Sequence, residues 1–497
     1  MMSSVPNTRR VNNASRYAAG FVIAVLLLRA LAAVVVPIMD DTEARYAEIA
    51  RKMLADGHWT VPQFDDGVPF WGKPPLAFWL SAGGIALFGA GEFGPRAPIL
   101  LIAAVLLFLF WRFVEECEDA PTAHLATVLL ATSAVFLVSA GAVMTDLVLL
   151  LALFIMMSAC WRFSRDGDVR HGLWMFAALG AGLLTKGLMI LAVGGLPIAV
   201  WLTLTKKWKP FLARLPWVSG LALAAVIAVP WYVAAELKTP GFLHYFLIGE
   251  HFSRFFEPGW EGDRYGWARG QPFGMIWVFY LIGLAPWSVL VPAYLFIKRR
   301  GLDWMDSEND GTRRELVLFL LCWVLAPAVL LTFARNIIWT YSLPAVPPAA
   351  ILLAMTLKGS RNAESSAPDP LPKVMTTAAV FLGAVFIAGG FALQNPKWVS
   401  QVTYKPFVEQ FKSLCPDATC RLWCFGERIH SAEYYLRGQT KRIEQVSGLF
   451  GDEHRARHFF IGLHTVVNRL PPPEMAQLEP VRRYGKMGLW RLKPKPE

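Results

Sequence analysis

Long apolar runs separated by short polar segments dominate the first 394 positions of the chain. A helix needs about 20 mainly apolar residues to cross the hydrocarbon core of a bilayer. We therefore predict a polytopic all-α membrane protein with about 11 to 13 spans, each end uncertain by several residues. The eleven clearest runs are 22–38, 97–113, 123–140, 147–161, 174–184, 189–205, 217–234, 273–297, 316–333, 338–357 and 376–393.

The composition supports this class of protein. Apolar residues make up 55% of the chain with Gly left out, whereas globular domains reach about 45–50% with Gly included. The first run is long for a signal peptide, and no cleavage site of small residues follows it, so we interpret it as a signal anchor.

The net charge of +11 bears on topology, and we expect no nucleic-acid partner. If the spans alternate, five short basic segments lie on one side, which the positive-inside rule makes cytoplasmic. Their basic residues are Arg9, Arg10 and Arg16; Arg162 and Arg165; Lys206, Lys207, Lys209 and Arg214; Lys298, Arg299, Arg300, Arg313 and Arg314; and Lys358, Arg361 and Lys373. Segments 40–95 and 236–270, and everything after about 395, are then outside.

The outer segment 40–95 opens with "DDTEARYAEIARKML". Its apolar side chains recur at helical spacing, so we predict an amphipathic helix on the membrane surface, with Arg45, Glu48 and Lys52 turned away from the apolar face. Asp41 or Thr42 is the expected N-cap. Glu43 is in line with the apolar face and is expected to point toward protein. Residues 81–88 are a candidate for a second such helix.

The chain changes character after Asn395. Short β-like runs such as "HFFIGLH" alternate with polar helical segments such as "SAEYYLRG". We predict two domains: a transmembrane catalytic domain at 1–394 and a small soluble α/β domain at 395–497. Within the second, Cys415 and Cys420 are our candidate disulfide in an oxidising compartment; the alternative is three unpaired cysteines.

Ionisable residues cluster where this topology places the outer membrane boundary. They are Asp40, Asp41, Glu43, Lys73, Asp146, Lys186, Glu250, His251, Arg254, Arg335 and Tyr341. Boundary charges must face a cavity or one another, because exposure to lipid is costly. A carboxylate here can take a proton from an attacking hydroxyl, and Lys or Arg can hold a phosphate that leaves with growing negative charge.

Several of these residues also have purely structural readings. Asp146 could cap its span, and Lys186 could extend to the lipid head groups. His251 could be an interfacial histidine, and Tyr341 could belong to the aromatic belt. Lys73 precedes two prolines, which hold it in an extended, aromatic loop. That setting favours phosphate binding.

The stretch "DDTEARYAEIARKML" and the following "GHWTVPQFDDGVPFWGKPPLAFWL" resemble the first outer loop of the GT-C glycosyltransferases. These enzymes use polyprenyl-phosphate sugars and include the aminoarabinose transferases and the protein O-mannosyltransferases. The blocks "MTD", "LLTKG", "EHFSRF" and "TYSLPAVPP" follow in the family order, so the resemblance covers most of 18–357.

The resemblance implies a GT-C fold, a lipid-phosphate sugar donor and site residues for both substrates. Its first-loop acid corresponds to Asp40 or Asp41, since Thr42 stands where the aminoarabinose transferases have Asp. Its implied catalytic residues are Asp40, Asp41, Glu43 and Asp146. Lys73 and Tyr341 correspond to residues that are expected to hold the carrier phosphate. Together with the boundary charges above, the candidate donor-binding residues are Arg45, Tyr46, Lys73, Lys186, Arg254, Arg335 and Tyr341. His251 corresponds to a residue that can bind a divalent metal with a Glu, for which this chain has Gly72.

The sequence thus predicts a bacterial inner-membrane glycosyltransferase with its active site and C-terminal domain in the periplasm. The expected donor is a polyprenyl-phosphate sugar, and the expected acceptor is lipid A or another envelope glycolipid. A protein or polysaccharide acceptor is the alternative within the same fold. A lipid or ion transporter is the alternative of another class, in which charges in mid-span or paired broken helices are expected.

Overall fold

The structure is a computed structural model that describes residues 8–40, 42–257, 260–265, 270–298, 311–358, 370–416, 419–426 and 429–494. Asp41 and three of the predicted cytoplasmic arginines, Arg299, Arg300 and Arg361, lie outside these ranges. Within them, seven helices are long and apolar enough to cross a membrane. These seven are Arg16–Val35, Gly94–Cys117, Thr145–Asp166, Trp217–Lys238, Gly311–Leu331, Trp339–Lys358 and Leu371–Gln394.

The four remaining apolar runs are also helical, and two of them are interrupted. The run at 273–297 divides into Met275–Gly283 and Trp287–Lys298, bent by 81°. The run at 123–140 divides into Ala120–Ala131 and Ala134–Ser139. The apolar pattern does not reveal where these two helices break. The run at 189–205 begins as the π-helix Leu191–Gly195 and continues without a break as Leu196–Thr205, and the run at 174–184 is part of Val169–Lys186.

The membrane helices share one apolar core. Its largest fully buried side chains include Trp201, Trp323 and Phe154, and Phe154 and Trp323 lie with ring centroids 6.1 Å apart. The first and last candidate spans are the least buried, with 22% and 17% of the residues in their apolar stretches buried inside the protein. They therefore form the outside of the bundle, where their apolar side chains face the surroundings.

The predicted outer helix forms at Thr42–Asp56, but its environment differs from the prediction. Glu48 and Lys52 are 2% and 3% exposed, so the expectation that they face water is wrong. They are buried because a helix of the C-terminal region, His430–Tyr435, covers this side. The second outer helix spans Leu76–Phe88 and is apolar around its whole circumference, so it is not amphipathic.

Residues after Asn395 form the predicted α/β region. Five strands lie in the spatial order Lys441–Ile443, Arg421–Phe425, His458–Leu463, Met487–Leu492 and Leu478–Tyr484. The first three are parallel, and the last two are antiparallel additions. The accompanying helices are Pro396–Val399, Lys405–Leu414, His430–Tyr435, His464–Val467 and Pro472–Ala476. Cys415 and Cys420 form a disulfide, which confirms the predicted pair.

The helix His430–Tyr435 joins this α/β region to the outer loop. The Lys52 ammonium lies 3.5 Å from the Glu433 carboxylate, and both side chains are almost fully buried. The Tyr434 hydroxyl donates to the Gly91 carbonyl at 2.8 Å, and the Ile38 N–H donates to the Tyr435 hydroxyl at 2.7 Å. The contact is polar and buried, so it fixes the orientation of the two regions in addition to holding them together.

Arg96 and Glu43 tie the outer loop to the membrane helices. The Arg96 guanidinium donates to both Glu43 oxygens at 2.8 and 2.7 Å and to the carbonyls of Ala33 and Pro37 at 3.2 and 3.0 Å. The Val143 N–H donates to Glu43 at 3.1 Å. Glu43 thus points into protein, as its position in the sequence predicts, and it connects the first span, the outer loop and the turn at Val143.

We predict that Arg96→Met destabilises the protein by about 3–5 kcal/mol, because it leaves a buried carboxylate without its partner. Thermal unfolding of the purified protein in detergent measures the change. Arg112→Met is the matched control, since its side chain is 59% exposed and its ion pair is with Glu115 at the surface. Equal unfolding temperatures for the two variants would contradict the proposed importance of the buried pair.

Candidate functional site

A small cavity of about 70 Å³ opens where several predicted site residues meet. Its polar lining comes from Lys73, Lys186, Glu250, His251, Arg254, Asn336 and Tyr341. Its apolar wall is formed by Met189, Phe246, Phe255, Leu331 and Ile337, and a space of about 10 Å³, the size of a water molecule, adjoins it at Lys186 and Tyr341. The cavity therefore combines cations with an apolar wall, which suits an amphipathic ligand.

Asp146 and Lys186 form a buried ion pair beside the cavity. The Lys186 ammonium donates to the Asp146 carboxylate at 2.9 Å, and the Thr340 hydroxyl donates to the same oxygen at 3.3 Å. Lys186 also lies 4.4 Å from the centroid of the Tyr341 ring. Asp146 is in the first turn of Thr145–Asp166 and Lys186 ends Val169–Lys186, so each charge suits its helix dipole. Lys186 therefore contacts protein groups instead of extending to lipid head groups.

A second set of charges lies across the cavity on the π-helix Tyr245–Ser253 and its continuation. The Glu250 carboxylate accepts from Lys73 at 2.8 Å and from Arg254 at 3.0 Å. Arg254 also pairs with Asp263 at 3.1 Å. Burial opposes ionisation of Glu250, but Lys73 and Arg254 outweigh it, and the pKa of Glu250 lies below its ordinary value. Glu250 is therefore an anion between two cations.

His251 is held on both sides of its ring by backbone groups. Nδ1 donates to the Phe246 carbonyl at 2.7 Å, and Nε2 accepts from the Leu188 N–H at 3.1 Å. No group of three or more His, Cys, Asp or Glu side chains suited to a metal ion occurs in the part of the chain that the structure describes. With Gly72 at the position of the family's Glu, the residues present do not fit a divalent metal at His251, and the chemistry below is derived without one.

The remaining predicted site residues lie in other surroundings. Asp40 accepts hydrogen bonds from the N–H and hydroxyl of Ser431, in the C-terminal region. Arg45 donates to the Tyr265 carbonyl. The Tyr46 ring packs edge-on against Phe78 at 5.2 Å.

Arg335 is held apart from the two charge groups. It donates to the Gln271 carbonyl at 3.3 Å and lies over the Phe273 ring. Asp146, Lys186 and Tyr341 thus form one group of predicted residues, and Lys73 and Arg254 form a second on the same cavity.

Sequence reasoning placed Glu250 among the boundary charges but gave it no role, and it did not name Asp263. Glu250 and Arg254 are four residues apart in "GEHFSRFF", a spacing typical of a helical ion pair. That spacing was the available signal for Glu250. The pairing of Arg254 with Asp263 depends on how the following loop folds back, which no local pattern reveals. Arg96, the partner of Glu43, also had no signal beyond its place before an apolar run.

The pKa of His251 is lowered, chiefly by burial of the ring. The folded protein thus resists protonation at a site that the unfolded chain protonates below about pH 6.5. Stability from this site is lost as the pH falls through that value.

We predict that His251→Gln loses less thermal stability between pH 8 and 5 than the parent protein. His58→Gln, at an exposed histidine, should follow the parent curve; a parallel curve for His251→Gln would contradict this.

The chain is similar in sequence and in fold to known glycosyltransferases. A family model described as dolichyl-phosphate-mannose-protein mannosyltransferase matches residues 14–246. The chain is 34% identical over 318 residues to an undecaprenyl phosphate-alpha-4-amino-4-deoxy-L-arabinose arabinosyl transferase of Erwinia tasmaniensis, covering 63% of the chain and 54% of that protein. The relative of the same name in Enterobacter sp. is 33% identical over 325 residues, with the same coverage. The chain thus spans about half the length of the curated relatives it matches.

The crystal structure of ArnT from Cupriavidus metallidurans bound to undecaprenyl phosphate superimposes on 97% of this chain and 100% of that one. Its TM-score is 0.76 at 19% sequence identity, which shows a shared fold. The apo structure of the same protein gives 0.75. These matches confirm the predicted fold class. The chain is thus similar in sequence to the aminoarabinose transferases through its membrane region, and it shares the fold of ArnT.

Proposed function

We propose that this protein is a glycosyltransferase that moves a sugar from a polyprenyl-phosphate carrier to an acceptor at the outer face of a bacterial inner membrane. The observation that carries the proposal is one cavity in which Lys73, Lys186, Arg254 and Tyr341 meet beside an apolar wall. Cations and a hydroxyl suit a phosphate, and the apolar wall suits the start of an isoprenoid chain. The curated relatives named above are transferases that use an undecaprenyl-phosphate sugar.

The reaction requires the acceptor oxygen to form a bond to the anomeric carbon while the bond from that carbon to the carrier phosphate breaks. The bonding electrons pass to the phosphate oxygen, so the carrier gains one negative charge. Lys73, Arg254 and Lys186 lie where such charge can be stabilised, and fixed cations in a buried site act without reorganisation. The Tyr341 hydroxyl can donate to the same phosphate.

A hydroxyl acceptor also has to lose its proton, which a carboxylate can take. Asp146 lies beside the cavity, where it is paired with Lys186. We assign Asp41 the catalytic role that the resemblance implies for it. Glu43 already accepts from Arg96 and from backbone amides, so we assign it to positioning. Asp40, bound to Ser431, is assigned to docking of the C-terminal region.

Lipid A is the first acceptor to test, because the relatives are aminoarabinose transferases. A protein acceptor is the second candidate, favoured by the match to a protein mannosyltransferase model over residues 14–246. In both cases we place the cavity and the C-terminal α/β region in the periplasm, on the basis of the basic loops opposite to them.

We predict that deleting the gene removes one sugar from lipid A, seen as a loss of that sugar's mass in envelope lipids. In the deletion strain, a gene that carries Lys73→Ala should restore no more than about one tenth of the product that the parent gene restores. The reason is that a charged hydrogen bond of about 1.5–3 kcal/mol is lost. Lys397→Ala, at an exposed lysine, should restore it fully. Unchanged lipid A with a lost protein or polysaccharide glycan would move the proposal to the other acceptor. Vesicle transport without glycosyl transfer would overturn it.

Asp40→Asn should lower the unfolding temperature and leave turnover within about threefold of the parent. A positioning residue acts through stability, whereas loss of a general base costs about 10²–10⁴ in rate. Ser431→Ala, which removes the partner, should reproduce the effect of Asp40→Asn. A turnover loss of a hundredfold in Asp40→Asn, with a stable Ser431→Ala of normal rate, would instead identify Asp40 as the base.

A further inference from the structure

Glu250 occupies the position between the two cations that line the cavity. Its carboxylate lies 2.8 Å from the Lys73 ammonium and 3.0 Å from the Arg254 guanidinium, and its side chain is 4% exposed. Tyr245 donates a further, longer hydrogen bond at 3.4 Å. The two cations that could best hold a ligand anion therefore already hold one, supplied by the protein.

The charges around the cavity cancel in this arrangement. Lys73, Arg254 and Lys186 supply the positive charges, and the carboxylates paired with them supply the negative ones. Those carboxylates are Glu250, Asp263 and Asp146. An anionic ligand entering a balanced, buried cluster adds uncompensated charge. It binds well only if a carboxylate gives up its cations.

Glu250 is the carboxylate placed to do so. Asp146 is fixed by both Lys186 and Thr340. Glu250 lines the cavity itself, on a π-helix, and it shares Arg254 with Asp263. Arg254 therefore keeps one counter-ion when Glu250 withdraws, and Lys73 becomes available to the ligand.

We infer that Glu250 is a resident anion that stands in for the carrier phosphate and limits the site to a single phosphate group. The inference rests on the proposed function, since it takes a polyprenyl phosphate as the ligand. Donor binding exchanges Glu250 for the phosphate at Lys73 and Arg254. A diphosphate carries more negative charge than a monophosphate. Its repulsion by the Glu250 carboxylate, which stays nearby, is therefore greater.

This role and a structural role predict opposite results for the same substitution. If Glu250 only holds Lys73 and Arg254 in place, removing its charge loosens the cavity and weakens ligand binding. If Glu250 competes with the ligand, removing its charge strengthens binding, and the gain is larger for the ligand with more charge. Affinity for two carriers that differ by one phosphate therefore separates the two roles.

The experiment uses the full chain purified in detergent, with undecaprenyl phosphate and undecaprenyl diphosphate as ligands in a direct binding assay. The parent protein should prefer the monophosphate. Glu250→Gln should bind both lipids more tightly and should narrow that preference about tenfold, as expected for removal of one buried like charge. Glu261→Gln, an exposed carboxylate that follows the same helix, should leave both affinities unchanged.

Weaker binding by Glu250→Gln, or an unchanged ratio of the two affinities, would overturn the inference and leave the proposed function intact. If the parent protein binds neither lipid, the donor class in the proposed function fails as well. If Glu250→Gln does not fold, Glu250→Asp keeps the charge on a shorter side chain that cannot reach both cations. It should then show tighter monophosphate binding than the parent, and equal or weaker binding would overturn the inference.

Discussion

Every charge buried at the edge of a membrane protein needs a partner, and this constraint organises the outer half of the molecule. Arg96 pairs with Glu43 and donates to the last carbonyls of the first span. These carbonyls also suit a cation because they end a helix. The first span, the outer loop and the turn at Val143 are thereby held at one point. The helix Thr42–Asp56 is oriented from there, and it presents Tyr46 to Phe70 and Phe78 and Lys52 to the C-terminal region.

The site is built from four segments far apart in the sequence, each of which contributes one or two polar side chains. A proline-stiffened loop supplies Lys73, a helix end supplies Lys186, a π-helix supplies Glu250, and a 3₁₀ turn supplies Tyr341. These are places where the regular helical hydrogen-bond pattern changes or ends. Such irregular backbone lies beside a cavity, where polar groups can be satisfied by neighbours or by a ligand.

Much of this arrangement could be predicted because the membrane constrains the sequence strongly. Apolar length predicted the helices, and the boundary position of Lys73, Asp146, Lys186, Arg254 and Tyr341 predicted that they face a common site. The breaks at 131–134 and 283–287 could not be predicted, because the apolar residues continue across them. The burial of Glu48 and Lys52 was also missed. Their polar pattern indicates water, and the covering helix lies almost 400 residues further along the chain.

That covering helix has a consequence for how the chain is made. The segment with Glu48 and Lys52 is among the first outer parts to be synthesised, while Glu433 comes from the last fifth of the chain. Until synthesis ends, the early helix lacks the neighbour that covers its charged side. A chain that stops before residue 430 therefore leaves Lys52 without its ion pair to Glu433.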